Sequence, residues 1–136
     1  MVRALIILGV LTGLVGCGHY RYFEGFNDIP PDSASVYIIR PNHFVGMGMA
    51  LEVVVGDKPL GYLQSGHFLD AVIAPREHKV VVSTGGLFGE QRELIFYAQP
   101  NERVFLTAGF GLEGYFGIEQ VDAETGLAEL KEFAKN

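Results

Sequence analysis

The sequence predicts an all-β protein, an antiparallel β-sandwich of seven to eight strands with a short C-terminal helix. Three observations predict it. From Ala34 onward, short runs rich in Val, Ile, Tyr and Phe recur at regular spacing, each ended by Gly, Pro, Asn or Asp. The chain holds 10 Phe, 6 Tyr, 18 Gly and no Trp, a mixture that favours strands and tight turns over long helices. Helical periodicity enters only at the carboxyl end.

Each element follows from its residues. Ser35 to Arg40 is β-branched and stops at Pro41, which has no amide hydrogen for a ladder. Met49 to Val55 places Leu51, Val53 and Val55 on one face. Gly56-Asp57-Lys58-Pro59 turns the chain, and Leu60 to Leu63 returns it. After Ser65-Gly66, the run His67 to Ala74 puts Phe68 and Val72 on one face and Leu69 and Ile73 on the other. Pro75-Arg76-Glu77 turns again into His78 to Thr84. Gly85 to Gly89 is a loop. Arg92 to Ala98 and Arg103 to Ala108 are strands split by Gln99-Pro100-Asn101-Glu102, and Tyr115 to Val121 is the last. Asp122 then caps a helix with Glu124 in its first turn, Leu127, Leu130 and Ala134 at helical spacing, Phe133 beside them, and Lys131 and Lys135 in the last turn. Gly126 weakens that helix by up to about 1 kcal/mol, so it must rest on the sheet to persist.

The 136 residues suffice for one domain. Before it, Arg3 is a positive start and Ala4 to Val15 an apolar run of a dozen residues. As a helix this run covers about 18 Å, short of the roughly 30 Å hydrocarbon core, so an export signal fits better than a membrane span. The run ends Leu14-Val15-Gly16-Cys17 on the only cysteine. This resembles the lipobox of bacterial lipoproteins. The resemblance implies cleavage between Gly16 and Cys17, a thioether from Cys17 to diacylglycerol, and an acylated amine, three chains in all. At about 0.8 kcal/mol per buried methylene they anchor far more firmly than one chain. Gly18 after the cysteine then points to the outer membrane, periplasmic face. The expected organisation is a signal peptide over 1–16, a lipidated N-terminus and linker over 17–33, and the sandwich with its helix over 34–136. Tyr20, Tyr22, Phe23 and Phe26 are too aromatic for a solvated spacer. They lie at the lipid headgroups or pack on the domain, the second being favoured.

Composition narrows the function. The formal charge of −6, with no Lys or Arg run, disfavours nucleic acid. One cysteine allows no intramolecular disulfide and no cysteine-based zinc site. Gly109-Phe110-Gly111-Leu112-Glu113-Gly114 matches a dinucleotide fingerprint in letters only. No helix is predicted after it, so it reads as a glycine-rich hairpin. His19, His43, His67 and His78 lack the i, i+4 spacing of a zinc enzyme, and they read as strand-end residues bonded to backbone. A site joining His67, His78 and Asp70 stays open. Ser65, His67 and Asp70 lie too close along one strand to converge as a triad. Glu90 with Glu93, and Glu129 with Glu132, read as solvated faces. Arg40, beside Asn42 and His43, suits a carboxylate ligand or, more commonly, a salt-bridged strand end. Phe44, Met47, Met49, Leu87 and Phe88 either meet a partner or cap the sandwich. No catalytic, metal or cofactor site is predicted.

The stretch Ser35 to Thr84 carries Val36, Tyr37, Arg40, Pro41, Gly56, Asp57, Gly61, Leu63, Gly66, Pro75 and His78, and the tail carries Asp122, Glu124, Leu127 and Leu130. In this pattern the chain resembles the bacterial lipoproteins grouped as domain-of-unknown-function family 2846. Glu77 departs from it, standing where that family usually has Gly. The resemblance implies a small β-sandwich related to peptidase-regulatory-like and carbohydrate-binding-like modules, and no known catalysis. The expected function is thus that of a non-catalytic, membrane-anchored lipoprotein. Its partners are the bilayer, through Cys17, and a protein or other envelope component met through loops. The alternatives are an accessory subunit or enzyme acting on cell-wall or polysaccharide material, and a glycan-binding module by fold analogy alone.

Overall fold

The computed structural model describes residues 22–42, 48–85, 89–110 and 116–133. Eight strands and one helix follow in order: β1 Ala34–Arg40, β2 Leu51–Val55, β3 Lys58–Leu63, β4 His67–Ile73, β5 Glu77–Ser83, β6 Gln91–Tyr97, β7 Arg103–Phe110, β8 Phe116–Val121 and α1 Ala123–Lys131. They form two four-stranded sheets, β4-β1-β7-β8 and β3-β2-β5-β6. The expected β-sandwich with a C-terminal helix is present.

Two details differ from expectation. The sandwich is not wholly antiparallel: β1 and β7 run parallel, with Val36 opposite Val104 and Ile38 opposite Leu106. The β2–β3 turn is also shorter than predicted. Val55 pairs directly with Lys58, leaving a two-residue loop of Gly56 and Asp57. Gly56 takes a φ of 64°, which glycine enters without a Cβ clash, so the hairpin closes before Lys58. The ladder then slips at a bulge between Val53 and Val54.

The main core lies between the sheets. Val36 and Ile38 of β1, Leu51 and Val53 of β2, Val80 and Val82 of β5 and Leu106 of β7 are fully enclosed there. Each such side chain contributes about 1.5–3 kcal/mol relative to exposure. A second cluster lies on the opposite side of the first sheet. Tyr37, Ile39, Phe68 and Phe105 point outward from β1, β4 and β7, and Phe23 and Leu130 cover them. All seven residues of β1 are therefore buried, on both faces of their sheet. A continuously apolar, β-branched strand is the composition that a strand covered on both sides requires.

The chain ends secure this arrangement. Asp122 caps α1, its carboxylate accepting from the Thr125 amide at 2.7 Å. The Phe23 amide donates to the Phe133 carbonyl at 3.1 Å, tying the segment before β1 to the end of the helix. The β6–β7 turn docks on the start of β1 through Asn101 to Ser33 at 2.7 Å and Ser35 to Glu102 at 2.9 Å. Asn101, at φ 62°, belongs to a residue type that tolerates left-handed backbone.

Candidate functional site

The sequence-predicted residues do not converge. Gly16 and Cys17 lie outside the described residues, as do His19, His43, Phe44, Met47, Leu87, Phe88 and Lys135. Tyr37 is 5% exposed in the outer cluster, and Arg40 is 2% exposed at the far end of the same strand. Pro41 follows Arg40 at the end of β1. Gly56 and Asp57 form the β2–β3 loop. Gly66 precedes β4, its amide donating to the Arg40 carbonyl at 2.9 Å. Pro75 lies in the turn before β5, where His78 bonds the Ala74 carbonyl at 2.7 Å and stacks on Phe96 at 5.6 Å. His78 is thus a turn-closing residue.

Arg40 stands at the end of β1, and it is enclosed there. It lies between the sheets, and its guanidinium nitrogen donates to the carbonyls of Met49 and Leu63, the latter at 2.9 Å. Both carbonyls belong to the β2–β3 side, so one cation from the first sheet joins the second. Burial pushes its pKa down from the ordinary guanidinium range. Gly109 lies beside the Arg40 stem, where a Cβ would make an ordinary contact, and its φ of 146° is a backbone conformation that favours glycine.

The other polar groups separate. His67 is held by the Ser65 carbonyl at 2.9 Å. Asp70 is opposite Tyr37 on the outer face, and its odd spacing from His67 turns the two side chains to opposite sides of β4. His67 belongs to one sheet and His78 to the other. Among the described residues no group of three or more His, Cys, Asp and Glu could hold a metal ion. Gly109 and Phe110 close β7 and pair with β8 in an antiparallel hairpin, which is not the strand-to-helix unit of a dinucleotide site. Glu77 has no positive φ, so its turn does not need glycine there. Glu90 lies 3.6 Å from Arg92 and Glu93 lies 3.8 Å from Lys79, in exposed pairs as predicted. Glu129 departs from its predicted solvated face: it is half-buried, with Oε2 out of water.

A cavity lies on the outer face of the first sheet, and of the predicted family-motif residues Tyr37 alone lines it. Residues 22–27 run as a strap over the outer face of β1 and β4. Phe23 and Phe26 pack inward, as favoured for those aromatics, whereas Tyr22 is 45% exposed and Tyr20 lies outside the described residues. Phe26 receives the Arg103 guanidinium 4.7 Å from its ring centroid, and Arg103 also donates to the Asn27 carbonyl at 2.9 Å. Beside the strap is a cavity of about 420 Å³. The strap supplies Phe23, Glu24 and Phe26 to its walls, and the sheet supplies Tyr37, Phe68 and Asp70. The available signal was the outward alternation of Tyr37, Phe68 and Asp70, read together with an aromatic segment that needed a place to bury.

No family model matches the chain, and no curated protein matches it. A solved structure described as the NMR structure of the protein from Eubacterium rectale is similar over 68% of this chain and 92% of its own, at 14% identity and a TM-score of 0.45. Among the described residues no helix is long and apolar enough to cross a membrane.

Proposed function

We propose that the chain is a lipid-anchored envelope protein, acylated at Cys17, which holds a non-catalytic β-sandwich at the periplasmic face of the outer membrane and binds an envelope partner there. The observation that carries this is Leu14-Val15-Gly16-Cys17 at the end of a charged-then-apolar leader. Only a thiol forms the stable thioether that the motif requires, and the chain has one cysteine, at that position. The likeness to domain-of-unknown-function family 2846 belongs to the same proposal and rests on its motif residues.

The strap supports a short tether. Phe23 is fixed to the domain by the Phe133 carbonyl. Cys17 precedes it by six residues, which reach about 20 Å when extended. A lipid on Cys17 therefore keeps the strap side of the first sheet close to the bilayer. The exposed Tyr62, Ile95 and Tyr97 of the second sheet supply apolar contact surface for a partner.

The test is the mass of the mature amino-terminal peptide from membrane fractions. The expected species begins at Cys17 and carries a diacylglyceryl thioether and an acylated amine. A peptide with a bare thiol, or a Cys17→Ser form that stays in the membrane at mature size, overturns the anchor. Crosslinking in intact cells through a photoreactive group at Tyr97 is expected to give one discrete protein adduct. Capture of only lipid and abundant porins overturns the partner.

A further inference from the structure

We propose that residues 22–31 are a releasable spacer in the tether: they peel from the first sheet as one unit while the sandwich stays folded, and so lengthen the reach of the domain from its anchor. The spacer role rests on the lipid at Cys17, whereas the release does not.

The strap belongs to the outer cluster alone. Phe23 is buried there and Phe26 packs against it. Among the described residues, none of the side chains enclosed between the sheets comes from 22–33. Release therefore leaves the main core complete. It also leaves α1 on the same outer face, where Gly126 lies on Phe105 and Leu130 belongs to the cluster.

The two ends of the segment are held differently. Its carboxyl end is pinned by backbone, through the Asn101 amide to the Ser33 carbonyl at 2.7 Å and the Ser35 amide to the Glu102 carbonyl at 2.9 Å. The strap itself is clasped by side chains. The Arg103 guanidinium stands 4.7 Å from the Phe26 ring centroid and donates to the Asn27 carbonyl, and Phe23 meets the rings of Phe26 and Phe68 at 5.2 Å and 6.2 Å. Residues 24–30 belong to neither strand nor helix, and Glu24, Gly25, Asn27 and Asp28 are exposed. A segment held by side chains and single backbone bonds opens more easily than a strand in a ladder. Pro30 and Pro31 lie between clasp and pin, and their fixed φ keeps a released chain extended. The turn at Pro31 and Asp32, with Asp32 at φ 57°, is the hinge.

The gain in reach follows from the chain length. With the strap docked, the tether runs from Cys17 to Phe23, about 20 Å when extended. With the strap released it runs from Cys17 to Ser33, sixteen residues and about 55 Å. One local opening thus gives the anchored domain a second, longer range over which to meet a partner.

Full-length protein in a neutral detergent is digested briefly with chymotrypsin over a urea series, and the cuts after Phe23 and Phe26 are read by mass. Both bonds are cut only when the strap leaves the sheet, so the rate reports the open population. The cuts are expected without urea, and their rate should rise with less than about one third of the slope of global unfolding, because little surface is exposed. Arg103→Met is expected to speed them at least about fivefold with the slope still shallow. Phe26→Leu, read at the cut after Phe23, keeps the test open if Arg103→Met does not fold. A slope equal to that of global unfolding, or unchanged cutting in the folded variant, overturns the release. Reach is measured as energy transfer from a fluorescent amino acid at position 97 to headgroup-labelled lipid, in vesicles of phosphatidylethanolamine and phosphatidylglycerol. The faster-opening variant is expected to show lower transfer than the parent chain, and unchanged transfer overturns the spacer. A bare Cys17 thiol in the same preparation marks failure of the anchor instead and removes the spacer with it, while the release still stands or falls on the cuts.

Discussion

Gly126 of α1 lies directly on the ring of Phe105 of β7: a Cβ at position 126 would stand 2.5 Å from both Cγ and Cδ1 of that ring. Those atoms belong to the buried base of the side chain, which cannot swing aside as a flexible tip would. The glycine that weakens the helix locally is therefore what lets the helix approach the sheet. Close approach in turn encloses Leu130 completely.

Gly126→Ala is expected to destabilise the protein. Helix propensity favours the change by about 1 kcal/mol, and overpacking opposes it by about 1–3 kcal/mol. The net effect is a lower melting temperature. Adding Phe105→Leu should recover part of the loss, giving a double variant more stable than the sum of the single effects. A Gly126→Ala protein that melts higher than the parent sinks this account of the contact.

Most of the strands were legible because their signals are local. Val80-Val81-Val82 and Leu51 to Val55 declare strands through β-branching and alternation, and Asp122 announces its helix. The parallel pairing of β1 with β7 was not legible, because no residue encodes which distant strand lies alongside. Its trace is indirect: Val36-Tyr37-Ile38-Ile39 is apolar at every position, which a strand with one wet face does not need. The strap was half-legible. Phe23 and Phe26 demanded burial, yet nothing in the sequence said that their partners were Tyr37, Phe68 and Phe105. The polar end of β1 was half-legible for a related reason. An arginine beside a proline reads as a strand end in want of a partner, and the sequence did not say that carbonyls of the second sheet, brought there by the fold, would be among its acceptors.

Arg40 gives the second prediction. Its guanidinium joins the sheets through the Met49 and Leu63 carbonyls. Arg40→Met keeps much of the volume and removes the donor, leaving those carbonyls enclosed without it. Hydrogen bonds to charged groups contribute about 1.5–3 kcal/mol, and the loss should appear as a lower urea midpoint with an unchanged slope. Arg40→Lys should recover only part, since an ammonium lacks the planar fork. Full stability in Arg40→Met would show that the bridge contributes nothing net.

The helix cap gives a pH-dependent prediction. The Thr125 amide, and next the Thr125 side chain, hold the Asp122 carboxyl below its ordinary range. Because the folded pKa lies below the unfolded one, the charged cap contributes stability above the unfolded value, about 3.9. That contribution fades as pH falls through this value and on through the depressed folded one. The melting-temperature advantage of the parent chain over Asp122→Ala should therefore be largest near neutrality and shrink as the medium is acidified toward about pH 2–3. Asp122→Asn separates charge from geometry. Asparagine caps about as well and does not titrate, so its advantage over Asp122→Ala should stay level across the same range. Melting curves of the three proteins at matched ionic strength make the comparison. A gap between parent and Asp122→Ala that stays constant down to the acid end would mean that the carboxylate's charge does not stabilise the helix, and that the cap acts by shape alone.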